Sequence, residues 1–222
     1  MFIGHFAVAL AAKKTAPKVS LGVLFFSVSL IDLLWPIFLL FGLEHVRISP
    51  GITTVTPLDF YDYPITHSLL TSLGWSLLAG ALFFAAKKDL RSSAIVGLAV
   101  FSHWILDFVT HRPDLPLAPG ETFKVGLGLW DSLPATIVLE LGMFCAAWYV
   151  YAHATEPRGS GGRVSFWTWT IFVVSIYFAN LFGPPPPNEI ALQYGALAAW
   201  LFVPWGYWIE SQRTVRASVP AA

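Results

Sequence analysis

Residues 19–43 read VSLGVLFFSVSLIDLLWPIFLLFGL, an apolar run that contains a single charged side chain, Asp32. About 20 apolar residues are enough to cross the hydrocarbon core of a bilayer as an α-helix. The run therefore predicts a membrane span. A carboxylate in the middle of such a span is energetically unfavourable and usually marks a functional site. This stretch thus predicts both a lipid environment and the first residue of a site within it.

The composition of the whole chain agrees with a membrane protein. Of 222 residues, 56% are hydrophobic and 12% are charged, whereas a soluble domain has about 25% charged residues. Apolar runs of comparable character follow at residues 66–86, 94–109, 127–152, 166–182 and 190–209. The sequence predicts an all-α, polytopic integral membrane bundle of about six transmembrane spans. We expect a short N-terminal helix in addition, and a single membrane-embedded domain over residues 1–222.

The charges of the loops predict the orientation. Lysines and arginines occur in alternate loops: Lys13, Lys14, Lys18, Lys87, Lys88, Arg91, Arg158, Arg163, Arg213 and Arg216. The positive-inside rule then places both termini in the cytoplasm. We expect the protein to be integral to the cell (inner) membrane. The glycine-rich segment 158–163 predicts a flexible connector between two spans. The formal net charge of zero gives no general attraction for nucleic acid.

Ionisable residues recur inside the apolar runs. The segment 101–113, FSHWILDFVTHRP, places His103, Asp107 and His111 at four-residue steps, and therefore on one stripe of a helix. Counted at about 1.5 Å per residue from the cytoplasmic basic residues, Asp32, His103 and Glu140 lie at a similar depth. His67 begins the second apolar run at its outer end, and His5 lies in the N-terminal segment.

Histidine and carboxylate side chains together are the ligands of zinc or manganese. We predict metal ligation by His5, Asp32, His67, His103 and Asp107, and catalytic roles for Asp107, His111 and Glu140. Asp107 also has two alternative roles, as a general base or as a partner that orients one of the imidazoles. These ligands fall in residues 1–115, and residues 116–222 supply the remaining spans.

Four segments of the chain resemble the family of LexA-binding, inner-membrane-associated metal-dependent hydrolases. They are GH at positions 4–5, LIDLLWP at 30–36, ITHSLL at 65–70 and SHWILDFVTH at 102–111. That family is similar in pattern to the zinc-dependent phospholipase C and nuclease superfamily, in which His, Asp, His and His-x-x-x-Asp follow in this order. The resemblance implies a zinc site that cleaves phosphodiesters. The chain departs from the pattern in two places, since Asp32 stands alone and the last His-x-x-x-Glu is absent.

The sequence thus predicts a membrane-bound metal-dependent hydrolase that acts through a metal-activated water in a pocket open to the outer side. Its expected substrate is a phospholipid or another amphiphilic phosphoester, and its expected neighbours are membrane lipids. The main alternative is a carrier of metal ions or protons, because His, Asp and Glu inside membranes also serve in transport. A third alternative is a binding protein that uses the ten tryptophans for a planar apolar ligand.

Overall fold

The computed structural model describes residues 1–216 and is mostly helical. The helices are α1 (Ile3–Thr15), α2 (Leu21–Leu40), α3 (Pro64–His67), α4 (Leu69–Lys87), α5 (Leu90–Thr110), α6 (Leu133–Ala154), α7 (Gly159–Phe182), α8 (Glu189–Leu197) and α9 (Phe202–Ser211). Short antiparallel pairs join β1 (His45–Ile48) to β2 (Leu58–Asp62), β3 (Leu115–Pro116) to β4 (Lys124–Val125), and β5 (Thr155–Pro157) to β6 (Arg213–Val215). Two 3₁₀ turns, Leu129–Asp131 and Ala198–Leu201, complete the described elements.

Within residues 1–216, five helices are long and apolar enough to cross a membrane: α2, α4, α5, α6 and α7. The predicted run 190–209 is different, because α8 and α9 are separated by the 3₁₀ turn Ala198–Leu201. Pro204 explains the break. Proline has no N–H and its ring clashes with the carbonyl four residues earlier, here that of Trp200. The final apolar run is therefore helical throughout residues 189–211, with α8 and α9 joined directly by the 3₁₀ turn.

Helix α1 lies inside the bundle and packs against α6, α2 and α5. Its apolar side chains Ile3, Phe6 and Leu10 are almost completely buried. Phe6 meets Phe25 of α2 and Trp169 of α7 at ring-centroid distances of 5.1 and 5.7 Å. A helix that is apolar on nearly all sides is expected at the centre of a bundle. The N-terminal segment is thus part of the core.

The interface between α4 and α5 is built from small residues. The Ser76 hydroxyl donates to the Gly97 carbonyl at 2.7 Å. A Cβ on Gly97 would lie 3.1 Å from the Ser76 carbonyl oxygen, and a Cβ on Gly80 would lie 3.2 Å from that of Ser93. Such close backbone approach is characteristic of helix pairs in membranes, where packing replaces the hydrophobic effect.

The predicted flexible connector at 158–163 is wrong. Helix α7 begins at Gly159, and the glycines pack closely against the chain that follows α9. A Cβ on Gly162 would lie 2.2 Å from the Gln212 carbonyl oxygen, and the Arg158 N–H donates to that same oxygen at 2.8 Å. Arg213 covers this end, donating to the Thr155 hydroxyl and the Gly162 carbonyl. The glycines allow the start of α7 to lie close to the chain that follows α9. A glycine-rich sequence is the same whether its glycines serve close packing or flexibility.

Candidate metal centre

Two carboxylates and two imidazoles converge at the middle of the bundle. Asp32 comes from α2, His67 from the end of α3, and His103 and Asp107 from successive turns of α5. Asp32 Oδ1 lies 3.4 Å from His67 Nε2 and 3.5 Å from His103 Nε2. Asp107 Oδ2 lies 3.8 and 3.1 Å from the same two nitrogens. Four side chains predicted as ligands therefore lie close together, and the ligand atoms of Asp32, His67 and His103 form one compact group among them.

The orientation of His103 is fixed by the backbone of α2. Its Nδ1 lies 2.8 Å from the Val28 carbonyl oxygen, which can only accept a hydrogen bond. Nδ1 therefore carries a proton. The side chain is fully buried, and Nε2 has no hydrogen-bond partner within residues 1–216. The nitrogen that faces the two carboxylates is thus left either for a metal ion or for a second proton.

His67 presents the same nitrogen to the centre. Its Nδ1 lies 2.6 Å from the Thr66 hydroxyl oxygen, and Nε2 points toward Asp32 and Asp107. Tyr63 packs against the His67 ring at a centroid distance of 4.8 Å. The ring is also held from the other side, since His67 and His103 meet edge to face at 5.6 Å. Both imidazoles are therefore held with Nε2 inward.

His5 joins the centre from α1 at the other oxygen of Asp107. Its ring stacks on that of His103 with centroids 3.8 Å apart and planes inclined by 2°. His5 Nε2 lies 3.2 Å from Asp107 Oδ1, and the Met1 amino nitrogen lies 2.6 Å from the same oxygen. Among residues 1–216, neither nitrogen of the buried His5 ring has an aligned hydrogen-bond partner. His5, His103 and Asp107 thus form a second group of ligand type, adjoining the first.

Glu140 lies close to His5 in the fold but contacts backbone. Its Oε2 accepts hydrogen bonds from the Phe2 N–H at 2.9 Å and the Gly4 N–H at 3.3 Å. The first N–H groups of a helix have no partner within the helix, and a carboxylate there also interacts favourably with the helix dipole. The structure therefore places Glu140 as the cap of α1, which holds His5 against His103.

The distances at the centre fit a small cation. In a tetrahedral zinc site with bonds of 2.0–2.1 Å, neighbouring ligand atoms lie about 3.3–3.4 Å apart. The four nitrogen-to-oxygen distances, 3.1 to 3.8 Å, bracket that value. Nitrogen lone pairs that face carboxylate oxygens repel each other unless positive charge lies between them. The donor set therefore suits a divalent metal, with Asp32, His67 and His103 as the group whose ligand atoms lie close enough together to share one ion.

Access to the centre is uneven. The side chains of His5, His67, His103 and Asp107 are each at most 5% exposed, whereas that of Asp32 is 41% exposed. Asp32 lies within α2, a helix long enough to cross the membrane. Asp32 is therefore the one member of the group whose side chain is substantially exposed.

His111, predicted to be catalytic, lies in a neighbouring cluster at the C-terminal end of α5. Its Nδ1 is 2.9 Å from Asp114 Oδ1 and 3.2 Å from the Tyr63 hydroxyl, which itself donates to Asp114 at 3.0 Å. Burial lowers the pKa of His111, against the opposing effect of the Asp114 carboxylate. Burial also raises the pKa of Tyr63 well above its ordinary value, and Asp114 adds to this shift. The cluster is held by aromatic contacts, including Trp130 at 4.2 Å from the His111 ring.

Sequence reasoning missed three groups that support the centre: Glu44, Thr66 and the Val28 carbonyl. Thr66 is adjacent to His67 in sequence, which was a usable signal for a partner of the ring. Glu44 belongs to a loop whose contact with residues 65 and 66 depends on chain folding, and a backbone carbonyl carries no sequence signal at all.

Comparison with known proteins finds no match to this chain among family models, curated proteins or solved structures.

Proposed function

We propose that this chain is a membrane-bound metal-dependent hydrolase that cleaves a phosphoester, with zinc as the metal and a phospholipid-like amphiphile as substrate. The proposal includes about six crossings of the inner membrane, with the broken segment α8–α9 as the sixth. Both termini are placed in the cytoplasm by the loop charges.

The observation that carries the proposal is the group of four inward acceptors. Both Nδ1 atoms are engaged, by Val28 and by Thr66, so both Nε2 atoms are left to face Asp32 and Asp107. A metal ion between them would supply the positive charge that the carboxylates need, and protonation of the rings is the alternative source. Catalytic zinc sites use three protein ligands and keep one position open for water. Asp32, His67 and His103 are the three that we assign, because a single point lies near all of their ligand atoms.

Asp107 has a different assigned role. Its Oδ1 already faces Met1 and His5, and its Oδ2 lies 3.1 Å from His103 Nε2 and 3.8 Å from His67 Nε2. We assign Asp107 as the general base that takes a proton from water on its way to the phosphorus atom, a role that contributes about 10²–10⁴-fold in rate. When bound, the metal would lower the pKa of water to about 7 and polarise the phosphoryl oxygen. His5 and Glu140 hold the far side of Asp107 and exclude water there.

The exposure of Asp32 supports an amphiphilic substrate. The opening lies on a helix of membrane-crossing length, so a headgroup can reach the metal while its apolar chains stay in lipid. The neighbouring helices α4 and α8 expose large apolar side chains, including Leu70, Leu77 and Ile190. A water-soluble substrate would have no use for such surroundings.

The test combines metal analysis with turnover. Purified protein is assayed for zinc and manganese, then for cleavage of a chromogenic phosphodiester and of phospholipids in detergent. We expect about one metal equivalent in wild type, loss of most of it in His103→Ala and Asp32→Asn, and no change in the control His153→Ala, at the exposed end of α6. Asp107→Asn should retain metal and lose at least 100-fold in turnover. Wild-type protein free of metal would mean that the imidazoles are protonated, and the hydrolase proposal would fail.

The same residues would serve the alternative function, a carrier of metal ions or protons. Reconstituted vesicles separate the two. We expect no metal or proton flux above protein-free vesicles. Flux that Asp32→Asn abolishes, together with no turnover of any ester tried, would replace the hydrolase by the carrier.

A further inference from the structure

We propose that Glu44, acting through the Thr66 hydroxyl, is the positioning residue that sets which nitrogen of His67 carries the proton. The inference rests on the proposed function, in which His67 is a metal ligand. Glu44 lies in the loop after α2, and Thr66 lies in α3. Neither touches the reacting centre, so both act through the imidazole ring.

The contacts of Glu44 make its carboxylate an acceptor only. The side chain is buried, and Oε1 accepts from the backbone N–H groups of Ile65 at 2.8 Å and Thr66 at 2.7 Å. Oε2 accepts from the Thr66 hydroxyl at 2.7 Å. Three donors surround one carboxylate, and hydrogen bonds to ionised acceptors are about twice as strong as neutral ones.

The single proton of the Thr66 hydroxyl is therefore committed to Glu44. The hydroxyl oxygen lies 2.6 Å from His67 Nδ1 and has only lone pairs left to offer. Nδ1 must then be the donor, and Nε2 keeps its lone pair toward Asp32 and Asp107. His103 reaches the same state through the Val28 carbonyl. The Thr66 hydroxyl and the Val28 carbonyl thus orient the two rings so that each directs its Nε2 to the centre.

Ligating histidines in general donate their second nitrogen to a carboxylate, a carbonyl or water, and loss of that partner weakens metal binding about 10–100-fold. Here a hydroxyl transmits the effect of the carboxylate over one additional bond. Glu44 also receives the backbone N–H groups that begin α3, so a purely structural role must be separated from the positioning role.

The variant Glu44→Gln makes this separation. It has nearly the shape of glutamate, and its amide oxygen can still accept from Ile65 and Thr66. Its NH₂ group, however, takes the place of Oε2 and donates to the Thr66 hydroxyl. The hydroxyl proton is then directed to His67 Nδ1, and the ring proton moves to Nε2, where it opposes a metal.

Zinc affinity is measured by competition with a chromogenic chelator. Glu44→Gln and Thr66→Val should each bind zinc about 10–100-fold more weakly than wild type. Thr66→Ser, which keeps the hydroxyl, should restore affinity to within about threefold of wild type. The control Asp62→Asn exchanges an exposed carboxylate that pairs with His45 and should leave affinity unchanged.

A double-mutant cycle and a metal-free measurement complete the test. In a His67→Ala background, Glu44→Gln should have no further effect on zinc affinity, because coupled residues are not additive. Nitrogen-15 NMR of metal-free protein should report the Nδ1–H form of His67 in wild type and the Nε2–H form in Glu44→Gln. Equal losses in both backgrounds, or an unchanged tautomer, would overturn the inference. Wild-type protein that binds no zinc but shows this tautomer change would refute the proposed function and leave the assignment of Glu44 standing.

Discussion

The cap that Glu140 provides for α1 leads to a prediction about stability that does not depend on any metal. Glu140→Leu has a similar volume and no acceptor, so it removes the hydrogen bonds without leaving a large cavity. The N–H groups of Phe2 and Gly4, bonded at 2.9 and 3.3 Å, would remain without partners in the bundle. We expect α1 to become the least stable helix of the core.

The magnitude follows from the two bonds. Leaving a buried donor unsatisfied costs about 1–3 kcal/mol. The Gly4 bond is long and the Phe2 bond is only partly buried, so both fall toward the lower half of that range. Together they give about 2–4 kcal/mol. Glu140→Gln keeps an oxygen for both donors and loses only the charge, which amounts to about 1 kcal/mol.

Unfolding by SDS titration in detergent micelles provides the assay. Tryptophan fluorescence is a suitable signal, because the buried Trp169 contacts Phe6 of α1. Glu156→Leu, at an exposed position, is the matched control. The reasoning is refuted if Glu140→Leu unfolds within 0.5 kcal/mol of wild type, about the scatter of surface substitutions. It is also refuted if the Gln and Leu variants are equally unstable.

Three further predictions concern helix packing, pH and orientation. Gly97→Ala should destabilise the α4–α5 pair by about 1–3 kcal/mol through overpacking, measured by the same titration. Gly74→Ala, with open space around it, should be neutral or stabilising by up to about 1 kcal/mol. Because the pKa of His111 is lowered in the folded state, its contribution to stability is present above about pH 6.5 and is lost as the pH falls. His111→Gln should therefore flatten the acid side of the stability curve, and an unchanged curve would exclude His111 as the cause. In a cysteine-free background on intact cells, an impermeant thiol reagent should modify Thr53→Cys and spare Ser92→Cys, and the opposite pattern would invert the predicted orientation.

The helices were predictable where hydropathy alone determines them. The runs that became α2, α4, α5 and α6 carry too few charges for any other environment. The prediction of helices from hydropathy failed where prolines and glycines determine the backbone conformation. Pro204 divides the last apolar run into two helices, and the glycines at 159–162 begin a helix because the chain near Gln212 needs close approach.

The residues of the candidate centre were predictable from the sequence, but the groups that hold its imidazole rings in place were not. His103 and Asp107 share a helical stripe, and the depth of Asp32 matched that of His103. The level assigned to Glu140 was also similar, but depth says nothing about direction, and Glu140 points to the backbone of α1. The partners of the imidazole rings come from loops and carbonyls, whose positions depend on tertiary structure.

The burial of α1 has a consequence for biogenesis. The residues joined by the cap, Phe2 and Glu140, are 138 positions apart in the chain, so α1 is synthesised long before its main partner, α6. Contacts of such high sequence separation form late, because the intervening chain must first be closed into a loop. Helix α1 can therefore pack against α2 and α5 before α6 is made, but its contacts are complete only once α6 has been inserted. Chains interrupted before residue 133 should therefore leave the start of α1 without the Glu140 cap and more accessible to protease than it is in chains that include α6.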